Sequence, residues 1–350
     1  MIKKTFLALA IASCAAFVHA QTPVSEFVPG ATSNGLNYAL PRTVIKADVH
    51  VAKVTYTPGE YAKYAKRFLH INDVKTEPSK HWEIKRIDFR TEGAPDTLKY
   101  FTMKLNGKNT PPYVQMDKNG LLLAVNTNVD VKENIIPVKK SSSPYIDGKQ
   151  YLTEEILMAT SMSKIAELVA NEIMAIRESK NDIKRGQAES MPKDGASMRM
   201  VLDELNKQED ALTRLFTGYT DTIYSCKTYT YDPTKEVQND IFFRFSNKLG
   251  FVDSDDLAGE PFYITIKDKH TVLLPGENEA KKRKLDGLVY NMPSIAHITI
   301  KSLNSSVYDR DIPIAQFGTI DQLSPALFTK GATTKVIFDG ATGGILKLAQ

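Results

Sequence analysis

The chain has 350 residues, of which 42% are hydrophobic and 25% are charged, and its formal net charge is +4. This composition excludes a largely disordered chain, a collagen-like chain and a protein with many membrane spans. The small positive charge argues against a dedicated nucleic-acid surface, and the rule of about 150 residues per domain gives a first expectation of two domains.

Residues 1–20, MIKKTFLALAIASCAAFVHA, have the layout of an export signal. Two lysines precede an apolar stretch, and the stretch ends in Val18-His19-Ala20, a small-x-small cleavage site. We therefore expect a mature chain that begins at Gln21 and is located in the periplasm or at the outer-membrane surface. Its net charge is +2, because two of the 45 basic residues leave with the signal and all 41 acidic residues remain. No later apolar run is long enough to span a membrane.

The segment IASC at 11–14 is similar to a bacterial lipobox, so a lipid anchor at Cys14 is the alternative to simple cleavage. We favour simple cleavage, because the apolar run continues to Val18 whereas lipoproteins usually turn polar after this cysteine. Cys226 is then the only cysteine left, and no intramolecular disulfide can form. We expect Cys226 to be a small buried residue in a strand, with a reactive or intermolecular thiol as the alternative.

Residues 21–138 are predicted to form one β-rich domain that contains a short helix at about 60–69. Alternating apolar residues indicate three strands, over 43–57, 81–89 and 99–105. The apolar phase slips by one residue at Ala52-Lys53 and again after Ile84. Such slips are typical of β-bulges.

The strongest local signal is Asn119-Gly120, which separates two β-prone runs. Asn-Gly is the preferred pair for a type I′ hairpin turn, because both positions take a positive φ. The sequence therefore predicts a hairpin with Asn119 and Gly120 as its turn residues.

A polar stretch opens a predicted linker, residues 139–152, after which the pattern becomes helical. Residues 153–218 carry two runs of apolar residues at helical spacing, which Pro192 and Gly195 separate. Thr153 is the expected N-cap of the first run. We predict a long antiparallel helical hairpin with facing apolar stripes and about 25–30 residues, or roughly 40 Å, in each helix.

Residues 219–350 are predicted to form a second β-rich domain. Alternating apolar residues surround Phe243, Ile264 and Ile298, and the last two strands enclose a Gly-rich turn at 339–344. Strands do not alternate with helices, which argues against a doubly wound fold. We expect an α+β fold in which two sandwich- or barrel-like β-rich domains are joined by the helical hairpin.

The common catalytic signatures are missing: there is no GxSxG elbow, no GxGxxG after a strand, no Walker loop and no HExxH. The spacing of histidines and cysteines indicates no shared metal. We therefore assign no catalytic, cofactor-binding or metal-binding residue, and we expect no cofactor. Five weaker candidates are expected to have structural roles and to bind no ligand. We expect solvated turns at the acidic run Asp253–Asp256 and the basic run Lys281–Lys284. We expect core packing for Trp82 beside His81, helix-end charges for Glu154 and Glu155, and an exposed strand position for His297.

Four segments resemble an uncharacterised family of secreted bacterial proteins that is described only as a domain of unknown function. They are YALPRT at 38–43, YTPGEYAKYAKRFL at 56–69, MPKDGASMRMVLDELNKQEDALTRLFTG at 191–218 and IAQFG at 314–318. The resemblance covers both predicted β domains and the hairpin. It implies export and a shared architecture along the chain, and it transfers no catalytic residue.

Two tripeptides, Asp-Thr-Leu at 96–98 and Asp-Thr-Ile at 221–223, resemble the Asp-Thr-aliphatic signal for O-glycosylation in some exported bacterial proteins. A tripeptide is weak evidence by itself, and Thr222 lies within a predicted strand. Glycosylation of Thr97 is therefore a hypothesis, and glycosylation of Thr222 a weaker one.

We expect a non-enzymatic protein of the cell envelope that binds another envelope protein, because two β-rich domains and a long hairpin are present without a catalytic constellation. Two alternatives stay open. Export and 15 tyrosines fit a carbohydrate-binding or carbohydrate-processing protein with a glycan ligand. Dispersed His and Asp residues fit a metal-assisted hydrolase. Nucleic acid is not an expected partner.

Overall fold

A computed structural model describes residues 24–26, 35–104, 113–130, 145–192, 194–274, 287–303, 305–328 and 334–349. The predicted signal peptide with Cys14, the first part of the linker at 139–144 and the basic run Lys281–Lys284 lie outside these residues.

The described residues form thirteen strands and four α-helices, of which one short helix follows the second strand and the other three precede the sixth strand. The first strands are β1 (Val24–Glu26), β2 (Gly35–Thr57), β3 (Ser79–Lys104), β4 (Val114–Met116) and β5 (Leu122–Val125). The helices are α1 (Ala65–Leu69), α2 (Glu154–Met158), α3 (Met162–Arg185) and α4 (Gly195–Thr217). The later strands are β6 (Tyr219–Tyr231), β7 (Val237–Ser246), β8 (Gly250–Val252), β9 (Glu260–Asp268), β10 (Leu288–Lys301), β11 (Ser306–Leu323), β12 (Lys335–Phe338) and β13 (Ile345–Ala349).

The strands form three antiparallel sheets, which we name after one member. The β2 sheet has the order β1-β3-β2-β6, the β10 sheet β11-β10-β9-β7-β8, and the β12 sheet β13-β12-β5-β4. β6 pairs with β2, and β12 pairs with β5. Strands from both sides of the predicted linker therefore share two sheets, which differs from the predicted division into separate β domains.

One core lies between the β2 sheet and the β10 sheet. Val49 on β2, Ile264 on β9 and Ile298 on β10 are fully buried in it. The apolar faces predicted around Phe243, Ile264 and Ile298 all point into this core. Phe243 stacks between two other rings, Phe262 at 4.4 Å and Tyr229 at 4.8 Å between centroids.

A second core joins the other ends of the same long strands to the β12 sheet. Tyr38 and Leu40 of β2 pack there with Val289 of β10 and Val336 of β12. The Tyr38 hydroxyl donates to Val289 O at 3.3 Å and accepts from Val289 N at 3.0 Å. Burial raises the pKa of Tyr38, and the hydroxyl therefore stays protonated as a donor. β2 and β10 thus each serve two cores.

One of the two predicted bulges is present. The ladder between β2 and β3 shifts register between His50 and Val51, where Lys85 of β3 is the extra residue. No shift occurs at Ala52-Lys53, whose pairing runs on without interruption. Ala52 is fully buried, so at this end β2 carries buried residues on both faces and its apolar pattern changes without a bulge.

The predicted hairpin is present, but its turn is not type I′. Gly120 takes a φ of +79°, whereas Asn119 does not enter the positive-φ region. Gly120 N donates to Asp117 O at 3.1 Å. The Asp117 carboxylate also accepts from the backbone N–H groups of Asn119 and Leu121, each at 2.8 Å. An aspartate that caps the turn in this way favours a longer turn, and the ladder shifts register beside it.

A long helical hairpin over residues 153–218 is not evident, and the segment forms three separate helices instead. α3 and α4 have 24 and 23 residues, about 35 Å at 1.5 Å per residue. The first predicted helix is broken between Met158 and Met162, and Ser161 caps α3 by accepting from Lys164 N at 3.3 Å. Thr153 precedes α2, but its side chain makes no capping hydrogen bond. No described helix is long and apolar enough to cross a membrane.

The helices pack on the end of β2 and on α1, where they bury a third core. Tyr56 Oη donates to Thr217 O, and Tyr61 N donates to Leu215 O, each at 2.8 Å. A Cβ added at Gly59 would lie 2.4 Å from Leu215 O, so only glycine permits this approach. Two of the segments that carry the family resemblance therefore meet at this junction.

Glu209 of α4 links this helix to α3. It accepts from Arg177 Nε and from Lys180 Nζ, each at 2.6 Å. Burial alone would raise the pKa of Glu209, but the hydrogen bonds from Lys180 and Arg177 outweigh burial and hold this pKa below its ordinary value.

We expect Glu209→Gln to lower the free energy of unfolding at pH 7 by roughly 1–2 kcal/mol, because it removes two charge-assisted hydrogen bonds at a partly exposed site. The pKa of Glu209 is lower in the folded state than in the unfolded state, where it is about 4.3. Glu209 therefore contributes its full share to the free energy of unfolding above the unfolded-state pKa, and this share is lost as the pH falls through the folded-state pKa. Urea unfolding over a pH series measures this. Glu204→Gln on the same helix is the control, since Glu204 pairs with Lys207 at 3.5 Å in an exposed position. Equal losses in the two variants would contradict the prediction.

Candidate functional site

A groove of about 380 Å³ opens between strands β10 and β11 on one side and β13 on the other. Its lining is mostly apolar and includes Tyr290, Met292, Pro293, Pro313, Thr342 and Leu346. The sheets that carry these residues meet here, so the groove lies at the boundary between the β10 sheet and the β12 sheet.

The turn at 339–344 forms one wall of the groove, and Asn291 holds that turn in place. Asn291 is fully buried, and its Nδ2 donates to Thr342 O at 2.7 Å and to Pro41 O at 2.8 Å. Its backbone N–H donates to Gly343 O at 3.2 Å. Gly343 takes a φ of +73°, and a Cβ there would lie 2.7 Å from Pro41 Cδ. One amide thus joins β2, β10 and the turn.

The other two segments of the family resemblance meet on the inner side of this turn. Thr43 is fully buried, and its Oγ1 donates to Ala341 O and accepts from Ala315 N, each at 3.1 Å. The Gln316 amide pairs with both backbone groups of Thr43 at 2.8 Å. A Cβ added at Gly318 would lie 1.8 Å from Met292 O. These residue types are therefore required by the packing that builds the groove.

β13 presents an apolar edge beside the groove. Leu346 lines the groove and is 67% exposed, and Leu348 is 48% exposed. Leu348 is paired with Val336, which is fully buried, so both side chains lie on the same face of the sheet. β13 ends the strand order, and within the described ranges no other strand pairs with its outer edge. An apolar edge strand of this kind can accept a further extended chain.

Cys226 differs from its prediction, since it is half-buried on the polar outer face of the β2 sheet. Its Sγ lies 3.8 Å from His50 Nε2, and Asp88 Oδ2 and Arg86 Nη2 lie 3.2 and 3.4 Å from the same nitrogen. A catalytic Cys-His pair uses one ring nitrogen for the thiol and the other for the orienting group. Burial, and then the carboxylates of Asp48 and Asp88, raise the pKa of the Cys226 thiol. The arrangement therefore keeps a protonated thiol rather than an activated nucleophile.

His297 is held between two carboxylates. Its Nδ1 lies 2.9 Å from Asp311 Oδ1, and its Nε2 lies 3.3 Å from Asp309 Oδ1. Lys269 also pairs with Asp311, at 2.5 Å. Both ring nitrogens are thus engaged on the surface of the β10 sheet, away from the groove lining.

The remaining sequence candidates lie apart from one another. Trp82 packs against the first core and His81 is exposed, as expected for core packing of the tryptophan. Glu154 and Glu155 are in the first turn of α2, and Asp256 accepts from Ala258 N in an exposed turn. Across the described ranges, no three His, Cys, Asp or Glu side chains are grouped to hold a metal ion.

The groove residues were not singled out by sequence reasoning. The one available signal was Asn291-Met292-Pro293, a polar residue and a proline inside the strand-forming run 288–301. A polar residue in such a run indicates a buried hydrogen-bonding position. Its partners Pro41 and Thr342 are too distant in sequence to be identified from it.

A family model described as "Domain of unknown function (DUF4831)" matches residues 34–346. The matched range contains all four segments of the resemblance and the residues that line the groove. Comparison with curated proteins and with solved structures finds no match. Because the family match spans most of the chain, the protein belongs to the DUF4831 family.

Proposed function

We propose that this protein is an exported, non-enzymatic component of the periplasm or outer-membrane surface, and that it binds another envelope protein through β13 and the adjoining groove. The observation that carries the proposal is the apolar edge of β13, where Leu346 and Leu348 are 67% and 48% exposed. Residues 1–20, with their export-signal layout, support the location. Cleavage before Gln21 is part of the proposal, and lipidation at Cys14 is its alternative.

The proposed occupant is an extended apolar segment of the partner. Such a segment would add to the β12 sheet beside β13, with main-chain hydrogen bonds along the free edge. Alternate side chains of an added strand point to one face, so every second residue would reach the groove. A groove of about 380 Å³ with a largely apolar lining suits one apolar side chain better than a charged one.

The test places a photo-crosslinking residue at position 346 in the native bacterium and identifies the crosslinked protein by mass spectrometry. The purified partner is then titrated against variants. Leu346→Lys and Leu348→Lys are expected to weaken binding by about tenfold or more, because each places a charge on the apolar edge. Both residues are exposed, so the fold should tolerate the change.

Leu257→Lys is the matched control, since Leu257 is 85% exposed and does not line the groove. It should bind the partner as tightly as the unaltered chain. No crosslink from position 346, a crosslink only to a second copy of this chain, or equal affinity in all variants would overturn the proposal.

A further inference from the structure

The ladder between β2 and β3 has a second register shift, between Ala39 and Pro41. Ala39 pairs with Tyr100 and Pro41 pairs with Pro95, so Leu40 alone spans the place where β3 carries residues 96–99. Two prolines face each other at one flank, and neither has a backbone N–H to donate. The four residues therefore leave the ladder as a bulge.

The tripeptide Asp96-Thr97-Leu98 forms most of this bulge. The Asp96 carboxylate, 18% exposed, accepts from Leu98 N at 3.0 Å and lies 3.7 Å from Lys99 Nζ. Thr97 is exposed, and Leu98 is 91% exposed. The aspartate thus orders the backbone while the threonine and leucine side chains are open to solvent.

The second tripeptide with the same pattern lies in a different setting. Residues 221–223 of β6 each pair with a residue of β2, and Thr222 is opposite Val54. Thr222 is half-buried within this ladder. A modifying enzyme must bind its acceptor segment in its own active site, which at Thr222 requires β6 to leave the sheet. At Thr97 no ladder pair has to open.

We propose that Thr97 is the attachment site of an O-linked glycan, added after export by a glycosyltransferase; this rests on the export included in the proposed function. Thr97 Oγ1 attacks the anomeric carbon of a sugar activated as a glycosyl phosphate. The bond from that carbon to the phosphate oxygen breaks as the glycosidic bond forms. A base of the transferase takes the hydroxyl proton, and the phosphate leaves with the bonding electrons.

Each residue of the tripeptide has a distinct part in this recognition. Thr97 supplies the acceptor hydroxyl. Asp96 holds the backbone of the bulge in one conformation, which lowers the entropy lost on binding. Leu98 offers an exposed apolar side chain whose transfer into an apolar pocket of the transferase is favourable.

The test is mass spectrometry of the intact chain and its peptides, purified from the envelope of the native bacterium. We expect an added mass explained by a hexose-containing glycan, located on Thr97 by fragmentation of the peptide. Thr97→Val should lose this mass completely, and Thr97→Ser should keep it. Thr222→Val is the matched control and should also keep it. Asp96→Asn and Leu98→Ala should lower the modified fraction.

Thermal unfolding of each variant by circular dichroism shows that a loss of glycan is not a loss of fold. An unmodified Thr97 in a chain that begins at Gln21, or at a lipidated Cys14, would overturn the inference and leave the proposed export intact. Added mass that persists in Thr97→Val would overturn it as well. A chain that keeps residues 1–20 in the cytoplasm would overturn the proposed export and this inference with it, and the N-terminal peptide distinguishes that failure from the others.

Discussion

Replacing Phe243 by alanine is expected to lower the free energy of unfolding by about 3–5 kcal/mol. Phe243 is 1% exposed and stacks between Phe262 and Tyr229 with ring planes within 14° and 18° of parallel. The three rings come from β7, β9 and β6, so the stack joins the β10 sheet to the β2 sheet. Truncation leaves a cavity between the sheets and removes both ring contacts. Since domains are usually stable by only about 5–15 kcal/mol, the loss is a large fraction of the total.

Urea unfolding followed by tryptophan fluorescence measures this effect, because Trp82 is the single tryptophan and packs against the same core. Phe243→Leu is the matched control. It keeps most of the apolar volume, and we expect it to cost less than about 1.5 kcal/mol. If alanine cost no more than leucine, the ring stack would not be holding the two sheets together.

Replacing Asn291 by alanine is expected to lower the free energy of unfolding by about 2–5 kcal/mol and to disrupt the groove as well. The Nδ2 group is the donor to two carbonyl oxygens, Pro41 O and Thr342 O. Each buried carbonyl that loses a donor costs about 1–3 kcal/mol, because water cannot replace the donor in a fully buried position. The loss therefore falls on the connection between β2 and the turn at 339–344.

Other hydrogen bonds still hold the turn at 339–344 in Asn291→Ala, so the turn should become more mobile and stay in place. After the substitution it keeps the bond from Thr43 Oγ1 to Ala341 O and the backbone bond to Gly343 O. We expect faster hydrogen exchange over 339–349 and weaker binding of the partner captured at position 346. Asn72→Ala, in an exposed loop, should change neither quantity. Unchanged protection over 339–349 in Asn291→Ala would show that Asn291 does not position the groove wall.

Features that depend on neighbours along the chain were predictable from sequence. The helical period in 162–185 and 195–217 comes from residues that share one face of a helix, and the alternation around Ile298 comes from one face of a strand. The type of the Asn119-Gly120 turn was not, because Asp117, two residues earlier, captures its backbone N–H groups. Here a side-chain hydrogen bond outweighs the preference of the pair itself.

Features that depend on residues far apart in the chain could not be predicted from sequence. The pairing of β6 with β2 depends on register between strands far apart in the chain, and alternation in each strand is compatible with many partners. The groove is assembled from Tyr290, Pro313 and Leu346, none of which carries a local signal of a shared site. Cys226 was expected inside the core because strand formers surround it. Its phase in β6 instead places it opposite His50 on the polar face.

The pairing of β6 with β2 also limits the order in which parts of this protein can fold. Thr57 pairs with Tyr219 and Ile45 with Tyr231, so the paired residues are separated by between 162 and 186 positions. Such a high contact order slows folding, because the chain loses the entropy of closing a large loop before the strand contacts that stabilise the closed state can form. A chain that emerges from its N-terminus holds β2 with one edge unpaired until residues 219–231 have followed. During that interval the open edge can pair with another molecule, and a fragment that stops before β6 would keep it permanently.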